Sequence, residues 1–183
     1  VNGAPPTVVD RLHQDFAGLL AVLDEAGEVS LRTVADENFR KSLVLAAASY
    51  FERRMTESVL TFVEDATNRN VLIAALVRHK AVSRQYHTWF QWNESNANSF
   101  FGLFGNGFRD FMKARIRGDG ELDDSVRAFL ERGRERNRLV HQDFGAVPLE
   151  KTSEEIHALY RRAVLFVEAV PRALREFDSG AAQ

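Results

Sequence analysis

From Asp36 to Asp65 the chain contains neither glycine nor proline. Glycine costs helix stability and proline removes a backbone donor, so nothing in this stretch interrupts a helix. Phe39, Leu43, Leu45, Ala46, Tyr50, Met55, Val59, Leu60, Phe62 and Val63 give it a broad apolar face. The segment reads as one long helix with a wide buried side, and any fold must be built around it.

The rest of the chain follows the same period. Val9, Leu12, Phe16, Leu19, Leu20 and Leu23 predict a helix from Val8 to about Ala26, with Gly27 as its C-cap. A short helical turn is expected around Ser30 to Val34. Asn68 and Asn70 end the long helix, and a third runs from about Val71 to Tyr86. The stretch HTWFQWNESNANSFFGLFGNGF is less regular. It predicts a bend near Asn93 to Asn96 and then a short helix into Phe111 and Ile116, with Gly102, Gly105 or Gly107 marking a kink. Gly118 and Gly120 form a stop, and Asp123 or Asp124 caps a helix reaching about Gln142. Thr152 and Glu155 have capping-box spacing ahead of a last helix, about Ser153 to Phe177, which Pro171 should kink. No repeats and no alternating strand patterns interrupt this series. The expected fold is all-α: an antiparallel helical bundle of five to six helices. Residues 1–7 read as an unstructured lead-in, 8–178 as a single domain and 179–183 as an unstructured tail.

Composition narrows the chemistry. With no cysteine, disulfides, thiolate metal sites and cysteine nucleophiles are excluded, which suits a cytoplasmic setting. The 24 basic and 26 acidic residues leave a net charge of -2, so nucleic acid would have to be attracted by a local cluster. No apolar stretch is long enough to span a bilayer, and VNGAPPTVVD lacks the basic start and apolar run of a secretory signal.

The local cluster is ERGRERNRLVHQDF, residues 131–144, which holds Arg132, Arg134, Arg136, Arg138 and His141. On a helix, Leu122, Val126, Phe129, Leu130, Gly133, Asn137, Val140 and Phe144 fall along one stripe. Arg136 and His141, about 140° apart, flank it, and Asn137 lies between them on the apolar face. An amide there is costly unless bonded. RNA carries its own nucleophile, the 2′-hydroxyl. Its cleavage needs a base, an acid for the leaving 5′-oxygen and a cation on the phosphorane. Histidine suits the proton transfers and arginine the phosphate, with no metal or other cofactor required. One copy of each is a sparse set, which a two-fold dimer would double. The same spacing also fits a solvated basic helix end, where cations are favoured by the helix dipole. Arg132, Arg134 and Arg138 read as a solvated face that also attracts phosphate, and so as RNA-binding residues.

The run Arg136-Asn137-Arg138-Leu139-Val140-His141 resembles the signature of the HEPN superfamily: an Arg, a polar residue, then three more residues before a His near a helix end. LAAASYFERRM, carrying Glu52, resembles the early helix of these domains. FQWNESNANSFFGLFG resembles the aromatic, Asn-rich middle of the RiboL-PSP-type branch. The resemblance spans roughly residues 35 to 175 and implies a HEPN-like bundle. It further implies a homodimer with one ribonuclease site at the interface, acting as a toxin or antiviral-defence effector and leaving a 2′,3′-cyclic phosphate and a 5′-hydroxyl. By position, Arg136 and His141 would be catalytic, Asn137 would orient them or bind phosphate, and Glu52 would support the site. A partner antitoxin or regulatory protein is also implied. One branch carries a modified Tyr two residues past the His; Asp143 stands there, so that regulation is not expected. The alternative within the family is an inactive module that binds RNA or mediates dimerisation.

Other residues have plainer readings. Glu52, Arg53, Arg54 and Glu57 fit a surface salt-bridge set. Glu154 and His157 have the spacing of half a di-iron site, but no second such pair exists, so no metal site is expected. His79 and His87 are expected to pack, and Trp89, Phe90 and Trp92 to fill the core or an interface rather than stack bases.

Overall fold

The computed structural model describes residues 5–142 and 144–181. Among them the fold is all-α, with seven α-helices and no strand: α1 (Val8–Glu25), α2 (Val29–Ala66), α3 (Val71–Val77), α4 (Asn98–Gly102), α5 (Asn106–Gly118), α6 (Gly120–His141) and α7 (Ser153–Ala181). Five to six were expected. The added helix arises at Gly105, whose φ of +94° separates α4 from α5 where a kink was predicted.

Local chemistry explains most boundaries. Thr7 belongs to the structure rather than to a lead-in. Its hydroxyl accepts from Asp10 N at 3.2 Å, while its own N–H donates to the Asp10 carboxylate at 2.7 Å, completing a capping box. Ala26 is the C-cap of α1, one residue before the expected position. Gly27 follows at φ +71°, and the bonds Gly27 N to Asp24 O and Glu28 N to Leu23 O form a Schellman motif. The turn expected at Ser30 to Val34 is instead the first part of α2, which runs unbroken for 38 residues. The predicted third helix is shorter: α3 ends at Val77, and a π-helical turn over Arg78–Val82 and a 3-10 turn over Tyr86–Thr88 follow. Asn70 caps α3 by accepting from the N–H groups of Leu72 and Ile73. α6 begins at Gly120, and its cap is Asp119, which accepts from Leu122 N at 3.0 Å, rather than Asp123 or Asp124. The capping box of α7 forms as its spacing predicts: Thr152 N donates to Glu155 at 2.8 Å and Glu155 N to Thr152 Oγ1 at 3.2 Å. α7 continues through Pro171 to Ala181, so helix covers Ser179, Gly180 and Ala181, where a tail was expected. Residues 1–4, 143, 182 and 183 lie outside the described residues, including Asp143 and parts of both expected ends.

The chain packs as two compact units. One comprises the chain up to Tyr50 together with Arg132–Arg161; the other comprises Phe51–Glu131 and the chain from Arg162 onward. In the first unit, Phe16 of α1 stacks on Phe39 of α2, and Tyr50 meets Tyr160 of α7 edge-on. Val9, Leu43, Val44, Leu139 and Ile156 are buried there. The second unit has an aromatic core. Phe129 of α6 touches Phe51, Phe90 and Phe166, and Phe101 of α4 touches Phe108 and Phe166. Trp89 and Phe90 are buried, and Trp89 Nε1 donates to Ala81 O at 3.1 Å, so this cluster packs as expected rather than presenting open stacking faces. Trp92 is half-buried and donates to His87 O at 3.0 Å. His79 and His87, expected to pack, are exposed. For His79 the reason is that the face it was expected to share with Leu72 and Leu76 is itself uncovered, with no residue of α3 buried.

Candidate active site

α6 carries the basic run, and its buried surface narrows along its length. In the second unit Leu122, Val126, Phe129 and Leu130 are buried as the periodicity requires. In the first unit the buried residues are Arg132 and Leu139, while Val140 and Phe144 are exposed. Ser125 and Ala128 are buried too, and at spacings of three, four and seven they share one side of the helix with Arg132 and Leu139. That side stays covered along α6, whereas the predicted stripe is covered only as far as Leu130.

Arg132 is the principal correction. Expected on a solvated RNA-binding face, it is fully buried, and its Nη1 donates to Glu135 at 2.8 Å. Lys151 Nζ lies 2.9 Å from the other oxygen of Glu135, so one carboxylate holds two cations. A guanidinium buried this way is part of the interior and cannot reach a ligand. Arg134 and Arg138 are exposed, as a phosphate-attracting face requires.

Arg136 and Asn137 are half-buried, and Arg136 Nη1 donates to Asn137 Oδ1 at 3.1 Å. The amide expected to need a partner has one, and that bond restricts the rotation of the guanidinium. His141 is exposed as the last residue of α6. The chain beyond it is held by two cations from α2. Lys41, buried, pairs with Glu37 at 3.1 Å, donates to Gly145 O at 3.2 Å and lies 5.4 Å from the centre of the Phe144 ring. Arg40 donates to the carbonyls of Leu149 and Lys151 at 2.8 and 3.2 Å. These contacts fix the return from α6 to α7, and so the end of the helix that carries His141. Sequence reasoning did not assign Arg40 or Lys41; no local pattern marks a cation that bonds carbonyls about a hundred residues away.

Glu52 belongs to the second unit, where it is half-buried on α2, and the neighbouring ion pairs run from Arg53 and Arg54 to Glu57 at 3.5 and 3.7 Å. The other candidates belong to the first unit.

The first unit also holds a cluster that sequence reasoning missed. Asp10, nearly buried, accepts from His157 Nε2 at 2.8 Å, Arg161 Nη1 at 3.1 Å and Thr7 Oγ1 at 2.8 Å. His13 stacks on His157 with ring centroids 4.2 Å apart and planes 8° from parallel. Tyr160 Oη and Thr7 Oγ1 are 2.7 Å apart. Burial alone would raise the Asp10 carboxyl. The bonds from Thr7 and His157 and the charge of Arg161 outweigh it and hold the group below its ordinary value. Burial, reinforced by His157, pushes the His13 imidazole down, and burial pushes the Tyr160 hydroxyl up. The Thr7-x-x-Asp10 spacing was the available signal for part of this cluster. Among the described residues no group of carboxylates and histidines has the arrangement of a metal site, and no helix is long and apolar enough to cross a membrane.

No curated protein and no solved structure is significantly similar to this chain. The profile of the RiboL-PSP-HEPN family matches residues 11–176, from within α1 to near the end of α7, and takes in the whole of the Arg136–His141 motif. An all-α chain matched over nearly its full length in this way belongs to the RiboL-PSP-HEPN family.

Proposed function

We propose that this chain is a metal-independent endoribonuclease with Arg136 and His141 as its catalytic residues and Asn137 as the residue that positions Arg136. The observation that carries the reading is the Arg136–Asn137 bond of 3.1 Å on the half-buried side of α6, one turn before an exposed histidine at the helix end. A guanidinium held this way offers its remaining N–H groups to phosphate oxygens. An imidazole exposed at the helix end is accessible to a substrate as a general acid or base.

In the proposed reaction the 2′-hydroxyl loses its proton to a base and the 2′-oxygen attacks the adjacent phosphorus. The bond from phosphorus to the 5′-oxygen breaks, and that oxygen takes a proton from an acid. The products are a 2′,3′-cyclic phosphate and a 5′-hydroxyl, with no water consumed. Arg136 stabilises charge on the phosphorane oxygens, and His141 performs a proton transfer. A single His cannot be base and acid in the same step, which is the chemical reason to place the active form in a homodimer with two copies of the motif at the interface. Arg134 and Arg138 supply non-specific attraction for the RNA backbone. Glu52 is a supporting residue in this reading, and the protein acts as a toxin or antiviral effector in the cytoplasm under an antitoxin or regulatory partner.

The test is incubation of the purified chain with total and transfer RNA in excess chelator, beside Arg136→Ala and His141→Ala, with analysis of the RNA ends. Cleavage by the unaltered chain alone, with cyclic phosphate ends, is expected. Equal cleavage in all three proteins would sink the residue assignment. No cleavage by folded, dimeric protein would leave a module that binds RNA or dimerises.

A further inference from the structure

The second unit contains a cleft of about 550 Å³ that the preceding reading does not use, formed between the Asn-rich segment before α4, the last turns of α5 and the first turn of α6. Its volume suits a small organic ligand. Lys113 and Arg117 line one side. Four residues apart on α5, they share a helix face. Among the described residues neither has an ion-pair or hydrogen-bond partner for its side chain. Their neighbours on the same helix differ: Arg109 lies by Asp110, and Arg115 pairs with Glu176. Among the described residues the only carboxylate lining the cleft is Asp123, which is already held by Arg127 at 2.6 Å. The cleft therefore carries two uncommitted positive charges and one neutralised acid.

Its remaining lining is divided by chemistry. Asn96 and Asn98 offer side-chain amides, and Ile116 an apolar surface backed by the buried Phe101 ring. Asn96 uses its carbonyl oxygen to accept from Asn98 N at 3.1 Å, which sets the turn and leaves its amide N–H groups. The Asn98 side chain has no hydrogen-bond partner among the described residues. Paired cations select phosphate, amides read the donor and acceptor edge of a base, and an apolar wall accepts its flat face.

We propose that this cleft binds a nucleoside phosphate, with the phosphate on Lys113 and Arg117, the base edge on Asn96 and Asn98, and the base face against Ile116. The ligand is either a free mononucleotide or the 5′-terminal nucleotide of an RNA strand, which share this chemistry. The site is separate in residues from Arg136 and His141, and its occupancy does not depend on cleavage.

Titration calorimetry on the full chain tests it, using AMP, GMP, CMP, UMP and inorganic phosphate, and 2′-O-methyl oligonucleotides with and without a 5′-phosphate, which a 2′-hydroxyl mechanism cannot consume. Saturable binding at one site per chain is expected, with at least one nucleotide about tenfold tighter than phosphate alone. Lys113→Gln with Arg117→Gln weakens it about tenfold or more. Asn98→Ala weakens the nucleotide and leaves phosphate unchanged. Arg117→Gln alone, at an exposed position, keeps the test open if the double variant does not fold. Binding by free mononucleotides identifies the first source, and binding only by 5′-phosphorylated oligonucleotides the second. No saturable binding by any of these probes overturns the proposal, as does binding unaltered by the cation variants, or phosphate binding as tightly as every nucleotide.

Discussion

Arg132 and Glu135 form a 2.8 Å ion pair inside the first unit, with the arginine fully buried and its partner nearly so. One of the four arginines in the basic run is thus structural. Arg132→Ala leaves Glu135 with Lys151 alone and opens a cavity the size of the largest fully buried side chain among the described residues. The expected loss is about 3 kcal/mol, measured by urea unfolding. Arg132→Met keeps most of the volume and should cost clearly less. Equal stability of Arg132→Ala and the unaltered protein would show that the pair contributes nothing.

Arg134 and Arg138, both exposed, should behave in the opposite way. Replacing either with Ala should change stability by less than about 0.5 kcal/mol. On the proposed RNA-binding reading, each change lowers the slope of log affinity against log salt by about 1, irrespective of RNA sequence. Binding isotherms for a 2′-O-methyl RNA at several salt concentrations measure it. An unchanged slope removes that residue from the interface.

Asn137 is expected to act through Arg136. Asn137→Ala frees the guanidinium that the amide now holds at 3.1 Å, so the rate of RNA cleavage should fall about tenfold or more while affinity for RNA changes little. Asn137→Gln, with the same donor and acceptor on a longer stem, should recover part of the loss. A variant that loses affinity instead would make Asn137 a phosphate ligand.

The cluster around Asp10 should make the fold acid-sensitive in two steps. His13 and Asp10 both bind protons more weakly in the folded chain than their ordinary values of 6.5 and 3.8. The unfolded chain therefore takes up protons first. Stability is full above pH 6.5, begins to fall as the pH drops through the His13 range, and falls again below 3.8 as Asp10 protonates. Asp10→Asn should cost about 2 kcal/mol at neutral pH and abolish the lower step. His13→Phe, which keeps a ring on His157, should abolish the upper one. Thermal melting from pH 3 to 8 reads both, and a flat profile across pH 5 to 7 would exclude His13 as a contributor.

The aromatic core of the second unit gives a simple packing prediction. Phe129 is fully buried and touches Phe51, Phe90, Trp92 and Phe166. Phe129→Ala should cost about 3–5 kcal/mol in chemical unfolding, and Phe129→Leu much less.

Elements whose cause is local were legible in the residues. The long helix over Asp36–Asp65 follows from unbroken apolar periodicity, the start of α7 from Thr152 and Glu155, and the end of α1 from Gly27. That Asn137 needs a bonding partner was legible from its place on the apolar face; that the partner is Arg136 was not, because adjacent residues on a helix point about 100° apart. The end of α6 at His141, one residue before the expected limit, again reflects local signals. Gly102, Gly105 and Gly107 were all candidates for the break, and only the backbone conformation singled out Gly105.

Tertiary packing decided the rest. A helix has a period but no label saying which face is covered: in α6 the side of Ser125, Ala128, Arg132 and Leu139 is buried throughout, while the predicted apolar stripe is buried only as far as Leu130. That is why Arg132 lies inside and Val140 outside. The Asp10–His157 bond joins residues 147 positions apart, and Lys41 bonds a carbonyl 104 positions away. Such pairs are chosen by the packing of whole helices, whose energy is spread over many side chains and written in no short motif. The sequence by itself determined helices, their caps and the family motif; burial, which turns one arginine of that motif's run into a core residue and leaves its neighbours in water, was decided only when the helices packed.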